Sequence, residues 1–279
     1  MPPSWTPTRC ASLRPSTRRQ RSSRPCCTDL TTLQKDANTR YGFSADKTLG
    51  IAQTLYEKKH ITYPRTGSRY IPEDVAAEIR PLLTALREHP QFGQEAAAAS
   101  GSEINRRSID NDKVTDHHAL LITEVTPTSL PTEEQTIYDL IAGRMVEAFG
   151  GVCIKEVSTS RLECGGMEFV AKGTVVREDG WRKVWREPEE QADDTTAALP
   201  ALQEGDELPV KGCDVERRQT KPHPIHTESS LLAAMETAGR SLTDEAEREA
   251  MKDSGIGTPA TRAAIIETLV ARDYIRREK

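Results

Sequence analysis

The sequence is poor in aromatic residues, in long apolar runs and in net positive charge, and each shortage excludes a class of protein. Hydrophobic residues make up 36% of the 279 positions and aromatic residues only 5%, enough for small cores and for two domains. No stretch approaches the ~20 apolar residues of a membrane-spanning helix, and the N-terminus lacks a signal-peptide core, so we expect a cytoplasmic protein. The net charge of -5 excludes a uniformly basic nucleic-acid binder, so any such contact must come from local groups.

The six cysteines show neither a metal-binding nor a disulfide pattern. They contain no C-x-x-C pair, so a zinc ribbon has no support, and a disulfide framework is not expected in a chain of this length. The sequence therefore predicts reduced thiols at Cys10, Cys26, Cys27, Cys153, Cys164 and Cys213.

One segment, running from His60 to Ser68 and containing Tyr63-Pro64-Arg65, carries the strongest chemical signal. Proline disfavours the helical conformation in the residue before it, so Tyr63 should be extended and its phenol held in a restricted direction. Ordinary phenols are almost fully protonated near pH 7, so a tyrosine nucleophile needs a neighbour's help. Arg65 offers a permanent charge and a planar fork of donors suited to phosphate oxygens. The pair suggests attack on a phosphodiester, with a structural tyrosine beside a solvated arginine as the alternative.

Apolar spacing and turn signals predict the elements around this segment. Residues 1–27 are rich in arginine, serine and proline, and we expect them to be disordered as a solvated tail, with a phosphate-binding arm or a disrupted upstream sequence as alternatives. Residues 89–102 form a loop or frayed helix. Helices are predicted at 30–41, 45–57, 73–86, 132–149, 228–238, 244–251 and from 259. The helix at 45–57 carries Leu49, Ala52, Leu55 and Tyr56 on one face. Strands are predicted at 154–162, 168–176 and 181–184.

The segment around Tyr63 resembles the catalytic segment of type IA DNA topoisomerases, and the topoisomerase III branch is the most similar. The resemblance begins at Leu33-Gln34-Lys35-Asp36 and continues through Gly42-Phe43-Ser44 to Thr66. Further blocks match in the same order, and the resemblance covers roughly residues 28 to 279. These blocks are Asp116-His117-His118-Ala119, Thr220-Lys221-Pro222, Thr227 to Leu232, and Gly255 to Glu267.

The resemblance implies an α+β fold that corresponds to the central region of a type IA topoisomerase. A mainly helical catalytic domain and a helical, helix-turn-helix-like domain would be joined by a small antiparallel β-rich arch segment. The implied domains are 28–127 for the catalytic tyrosine, 128–220 for a helix with the arch and hinge, and 221–279 for a truncated DNA-binding segment. The strands that pair with the arch from the N-terminal side would be missing, which would leave exposed sheet edges.

By this resemblance Tyr63 would cleave single-stranded DNA through a 5′-phosphotyrosyl intermediate, allowing strand passage and relaxation or decatenation. Arg65 would stabilise the charged transition state and His117 would orient the phosphate, with His118 the weaker candidate. The family commonly has aspartate where this chain has Gly67, which makes efficient cleavage doubtful. A non-catalytic single-stranded or winged-helix-type DNA-binding module is the competing hypothesis.

The C-terminal block predicts a DNA-backbone contact. Thr258 caps a helix with Pro259 at its first position, and free amides at a helix N-terminus bind phosphate. We therefore expect Thr258, Thr261, Arg262 and Arg272 to contact single-stranded DNA. The resemblance implies Mg²⁺ in the complete enzyme, held by a Toprim domain that this chain lacks, so we expect no metal site here, no membrane contact, and a separate Toprim-containing polypeptide as a possible partner.

Overall fold

The structure, a computed structural model, describes residues 9–186, 198–212, 216–251 and 255–278. These residues form a sheet unit, from residues 1–23 and 151–223, and a helical unit, from residues 24–150 and 224–279. Helices and an antiparallel sheet together confirm the predicted α+β class. The boundaries of these two units differ from those of the predicted domains. The helix at 132–149 packs with the helices at 30–41 and 45–57, which precede Tyr63, and the C-terminal helices belong to the same unit.

The sheet unit is built on one long hairpin. Its strands are β1 (Arg9–Ser12), β2 (Ser16–Ser22), β3 (Cys153–Cys164), β4 (Met167–Glu178) and β5 (Glu207–Pro209). Gly165 and Gly166 join β3 to β4 with φ of 56° and 81°, as a tight two-residue hairpin turn requires. β4 pairs along one edge of β3, while β2 and then β1 pair antiparallel along the other, and β5 pairs with β1.

The N-terminal strands correct two predictions. Residues 9–12 and 16–22 are strands rather than disordered chain, because β3 offers an unpaired edge whose backbone groups they satisfy. The predicted absence of N-terminal partner strands is therefore also wrong. Residues 1–8 lie outside the described residues, and so does most of the acidic segment after Trp185. The predicted strand at 181–184 is instead part of a 3₁₀ helix, Gly180–Trp185.

The cysteines also depart in part from the prediction. Cys10 and Cys164 are direct partners in the register of β1 and β3 and form a disulfide, which the spacing of the sequence did not indicate. Cys26, Cys27 and Cys153 form no disulfide and keep their thiols, as predicted. Burial raises the pKa of the Cys27 thiol to about 12, so this thiol stays protonated. Cys213 lies outside the described residues.

The helical unit contains nine α-helices within the described residues. They are α1 (Leu30–Tyr41), α2 (Ala45–Glu57), α3 (Glu73–Ala76), α4 (Ile79–Ala85), α5 (Gly93–Gly101), α6 (Thr132–Phe149), α7 (Glu228–Glu236), α8 (Glu245–Ala250) and α9 (Pro259–Ala271). The predicted helix at 73–86 is two helices, and the doubtful segment at 89–102 contains α5. None of the helices in the described part of the chain is long and apolar enough to cross a bilayer.

Local sequence explains where the first two helices begin and end. The side chain of Asp29 accepts a hydrogen bond from the Thr32 amide at the start of α1, and Ser44 caps α2 in the same way. Gly42 ends α1 at φ 68°, a left-handed conformation that glycine adopts without strain. The turn between α1 and α2 is therefore fixed by residues within it.

The core of the helical unit lies where α1, α2 and α6 meet, and α7 and α9 pack on the first two of these helices. Apolar residues of α1 and α6 are buried here, and so are Leu49, Ala52 and Leu55, three of the four residues that the sequence placed on one face of α2. Tyr56 is the exception, because 38% of it is exposed. A second cluster joins α2 to the C-terminal helices through Ala45, Leu232, Met235, Ala263 and Ile266.

Two glycines of the sheet unit give a matched test of this fold. A Cβ on Gly180 would lie 2.3 Å from the carbonyl carbon of Val152, whereas one on Gly166 would meet nothing within 4 Å. Both have positive φ, so each alanine substitution carries a conformational cost of about 1–2 kcal/mol. We expect Gly180→Ala to lower the free energy of unfolding by at least about 2 kcal/mol more than Gly166→Ala, because only Gly180 also meets the backbone. Urea unfolding monitored by circular dichroism measures the difference, and equal losses would contradict this packing.

Candidate active site

The segment that carries Tyr63 is held in place by backbone pairing with a second loop. An isolated antiparallel bridge joins Ile61 to Ile122. The amide of Thr62 donates to the carbonyl of Leu121 at 2.9 Å, and the Thr62 hydroxyl accepts from the Leu121 amide at 3.0 Å. The residue before Tyr63 is therefore fixed through both its backbone and its side chain.

Thr66 fixes the other side of the segment. Its hydroxyl donates to the carbonyl of His117 at 2.9 Å, and its carbonyl accepts from the amide of Leu30 at 3.1 Å. Leu30 is the first residue of α1, so an otherwise unpaired helix amide holds the tyrosine segment. Thr66 thus ties together the tyrosine segment, the histidine loop and α1.

The ring of Tyr63 contacts two other aromatic rings at this junction, which link the three into a row of contacts. The ring centroids of Tyr63 and His117 are 4.4 Å apart and tilted by 45°. Tyr63 also meets Tyr56 edge-on, with centroids 5.4 Å apart. Tyr63 is partly buried between two exposed neighbours. The structure therefore brings together Tyr63 and His117, two residues of the predicted site that are 54 positions apart in the chain.

Arg65 is exposed next to this row. Within the described residues its guanidinium has no hydrogen-bond or ion-pair partner, and neither does the hydroxyl of Tyr63. An unpaired guanidinium and an unpaired phenol on one short segment can both approach a phosphodiester from solvent. His118 differs from its neighbour, because it is partly buried and its Nδ1 lies 2.8 Å from the carbonyl oxygen of Ala119.

A cavity of about 1100 Å³ lies next to the tyrosine segment in the helical unit. Tyr63, Arg65 and His117 do not line it, but Gly67 and Thr115, each two positions from one of them, do. Four arginines and three carboxylates share its wall, so its charge is mixed. These charged residues are Asp29, Arg69, Glu236, Arg240, Arg248, Glu249 and Arg262.

Asp29 is the buried carboxylate of this wall. Burial raises its pKa above that of an ordinary aspartate, and the hydrogen bond from the Thr32 amide and the charge of Arg69 oppose this effect. The Nε of Arg69 lies 3.6 Å from Asp29 Oδ2, and the arginine side chain is half exposed. Asp29 therefore serves both as the cap of α1 and as an anchor for an arginine at the rim of the cavity.

The start of α9 forms another part of the wall. Thr258 and Thr261 are exposed, and the Thr258 amide donates to Thr261 Oγ1 at 2.8 Å. One of the amides expected to be free is thus already paired within the helix start. A Cβ on Gly67 would lie 3.3 Å from Cγ of Pro259, so the tyrosine segment passes close to the start of α9.

The two predicted DNA-contacting arginines lie in different places. Arg262 is only 4% exposed; its Nη1 donates to Thr31 Oγ1 at 3.0 Å and its Nε to the carbonyl of Ile256 at 3.2 Å. Because these atoms are committed to protein partners, its role is to tie α9 to α1. Arg272 is exposed at the other end of α9, about 20 Å from Thr258 along the helix axis.

Sequence reasoning missed the residues that position the site. Thr62, Thr66 and Asp29 act through backbone contacts to residues distant in sequence, and no local pattern reports such contacts. Arg69 carried a usable signal, since it is a basic residue four positions after Arg65. The sequence did not reveal that Tyr56 is exposed, because its spacing places it on the apolar face of α2.

The different environments of Arg262 and Arg272 give a test within one helix. We expect Arg262→Ala to lower the free energy of unfolding by about 2–4 kcal/mol, because it leaves Thr31 and the Ile256 carbonyl without their donor in a buried site. Arg272→Ala, on the exposed end, should change it by less than about 0.5 kcal/mol. Urea denaturation of both variants measures this contrast, and an unchanged midpoint for Arg262→Ala would refute the proposed tie.

Comparison with known proteins assigns the family. A sequence profile described as DNA topoisomerase matches residues 9–279, which include the N-terminal strands. The chain is 38% identical to DNA topoisomerase 3 of Bacillus subtilis over 90% of its own length and 36% of that protein's, and 32% identical to DNA topoisomerase 1 of Bacillus anthracis over 90% and 29%.

A solved structure agrees with the sequence comparison. Full-length topoisomerase I from Thermotoga maritima superposes with a TM-score of 0.68 at 27% identity, over 98% of this chain and 42% of that one. The chain therefore spans little more than a third of the length of the curated topoisomerase 3 it matches. On these matches the chain belongs to the type IA DNA topoisomerase family and is similar to its topoisomerase III members.

Proposed function

We propose that this chain supplies the strand-cleaving tyrosine of a type IA topoisomerase reaction on single-stranded DNA. The observation that carries the proposal is the junction at which Tyr63 contacts His117 and is clamped by Thr62 and Thr66, with Arg65 exposed and unpaired within the described residues. The hydroxyl oxygen of Tyr63 would bond to the phosphorus of a phosphodiester while the bond from phosphorus to the 3′ oxygen breaks. The phenol proton passes, in the net balance, to the released 3′ oxygen.

Each nearby group has a distinct part in this step. Charge that develops on the phosphate oxygens is stabilised by the Arg65 guanidinium, which is not already neutralised by a carboxylate in the described structure. His117 contacts the nucleophile's ring and orients the phosphate against it. Reversal of the step by the bound 3′ hydroxyl reseals the strand, and passage of a second strand before resealing changes the DNA topology by relaxation or decatenation.

The cavity beside Gly67 is the proposed path of the DNA strand. Exposed Arg240, half-exposed Arg69 and the exposed Thr258 and Thr261 offer donors to phosphates. Such local groups are what a protein of net charge -5 needs in order to hold DNA. Arg272 lies too far along α9 to share this path and would contact a more distant part of the strand. Arg262 supports the wall from behind. We place the reaction in the bacterial cytoplasm or nucleoid.

The described residues do not fit the family's magnesium ion. No three histidine, cysteine or acidic side chains among them gather as a metal site. The Asp110-Asn111-Asp112 turn is no substitute, because Asp110 is paired with Lys113 at 2.7 Å, a hydrogen bond that lowers the pKa of Asp110. We propose that the metal is supplied by a Toprim-containing polypeptide. The chain alone should then cleave poorly or not at all, since acid–base assistance is typically worth ~10²–10⁴-fold.

Covalent trapping tests the proposal directly. The chain is incubated with an end-labelled single-stranded oligonucleotide, with and without an added Toprim domain and Mg²⁺, then denatured and separated by electrophoresis. We expect a labelled protein adduct that requires Tyr63 and is absent in Tyr63→Phe, because phenylalanine keeps the ring and removes the attacking oxygen. Tyr41→Phe, which alters an exposed tyrosine at the end of α1, is the matched control and should leave the adduct unchanged.

The outcomes separate the competing functions. Absence of an adduct even with the Toprim domain supplied, but with single-stranded DNA still bound, would favour a non-catalytic binding module. Preference for duplex DNA of one sequence would favour a winged-helix-type regulator.

Gly67 generates a second prediction. We expect Gly67→Asp to raise the adduct yield above that of the unaltered chain, since aspartate is the residue common in the family. The new Cβ would lie 3.3 Å from Pro259, which the proline ring can accommodate by a shift of a few tenths of an ångström. Gly67→Asn has the same size without the charge and separates packing from electrostatics. A lower yield for both variants would show that close contact with α9 requires glycine.

A further inference from the structure

Tyr56, on the last turn of α2, is exposed where its spacing predicts burial. Leu55 beside it is fully buried, whereas 38% of Tyr56 is accessible. Its hydroxyl has no hydrogen-bond partner within the described residues. The α2 turn that carries it is fixed, because the amide of Lys59 donates to the carbonyl of Tyr56 at 2.8 Å. Tyr56 thus presents an accessible ring from a fixed position on the backbone.

The ring is one of three that are linked by contacts. We name Tyr56, Tyr63 and His117 the aromatic row, in the sense that the ring of Tyr63 contacts each of the other two; the centroid of Tyr63 is 5.4 Å from that of Tyr56 and 4.4 Å from that of His117. The two outer rings are exposed and the middle ring is partly buried. Because aromatic residues are only 5% of the sequence, this arrangement places an unusual share of exposed ring surface beside one hydroxyl.

Single-stranded DNA has the chemistry that fits such a row. Unpaired bases stack on aromatic side chains, and this contact tolerates any base sequence because every base has a π face. A phosphodiester in front of Tyr63 would place the two nucleotides that it joins on either side of that residue. One of their bases would then be within reach of the exposed ring of Tyr56, whose centroid is 5.4 Å from that of Tyr63.

The charges around Tyr56 suit the same ligand. Lys58 is paired with Glu134 at 2.6 Å, but the exposed side chain of Lys59 has no partner within the described residues. A free ammonium beside an exposed ring offers a phosphate contact next to a stacking surface, the combination found in proteins that bind single strands.

We propose that Tyr56 is a base-stacking residue that receives the unpaired base next to the phosphodiester facing Tyr63. The inference rests on the proposed function for the position of the strand, but it concerns binding and does not require cleavage. The competing explanation is that Tyr56 only restrains the ring of Tyr63 through their edge-on contact. Restraint alone would alter the cleavage rate and leave DNA affinity unchanged.

Fluorescence anisotropy with a labelled oligodeoxythymidine, without Mg²⁺ or an added domain, tests this inference. We expect Tyr56→Ala to weaken binding by about fivefold or more, the lower end of the contribution of one base–aromatic stack. Tyr56→Phe should bind as the unaltered chain does, since it keeps the ring. The matched control is Tyr41→Ala, which removes an exposed tyrosine (46%) at the end of α1. Circular dichroism confirms that each variant is folded.

A single abasic position moved along the oligonucleotide identifies the stacked base. When the abasic site is at the position of the stacked base, the unaltered chain and Tyr56→Ala should bind with about equal affinity, because the base that stacks on Tyr56 has been removed. Unchanged binding by Tyr56→Ala, equal losses for the Phe and Ala variants, or no binding by the unaltered chain would each overturn the inference. The trapping assay reports independently on cleavage. If an adduct forms but DNA binding does not depend on Tyr56, the proposed function stands and this inference fails. If binding depends on Tyr56 but no adduct forms, this inference stands and the proposed function fails.

Discussion

The tyrosine segment is held by a small set of hydrogen bonds made by threonine side chains and by backbone groups. Thr62 pairs with Leu121 through both its amide and its hydroxyl, and Thr66 joins the segment to His117 and to the first amide of α1. Ordering a segment of irregular backbone between helices costs conformational entropy, and these hydrogen bonds offset part of that cost. These contacts fix the direction of Tyr63 and set its ring beside His117, so the proposed chemistry depends on them.

A small number of specific contacts also holds the C-terminal helices next to the tyrosine segment. α7 and α9 share an apolar cluster with α2, and the buried Arg262 reaches Thr31 of α1 across 231 positions of sequence. Removing a guanidinium from water is costly unless its donors find partners, and the Thr31 hydroxyl and the Ile256 carbonyl accept from two of its five N–H groups. The packing places Pro259 against Gly67 and gives the cavity two walls from distant parts of the chain.

Charge in this protein is organised locally. The net charge is negative, yet Arg65 is exposed and unpaired within the described residues, and several arginines line the cavity beside it. Three of these arginines already have protein partners: Arg248 and Arg262 donate to protein oxygens, and Arg69 is paired with Asp29. The groups available to a phosphate are thus few and specifically placed, which suits recognition of a flexible single strand better than general attraction to a polyanion.

Sequence alone determined the features that depend on neighbouring residues: the helices at 30–41, 45–57 and 132–149 and the ordered blocks that mark the family. It misplaced the residues whose state depends on distant partners. Residues 9–12 and 16–22 carry no apolar pattern and become strands only because β3 presents an edge to them. Cys10 and Cys164 become partners through the register of that pairing, and Arg262 is buried because α9 packs on α1. Tertiary structure decided these because hydrogen bonding and burial are satisfied between segments far apart in the chain, and no local spacing records which segments will meet.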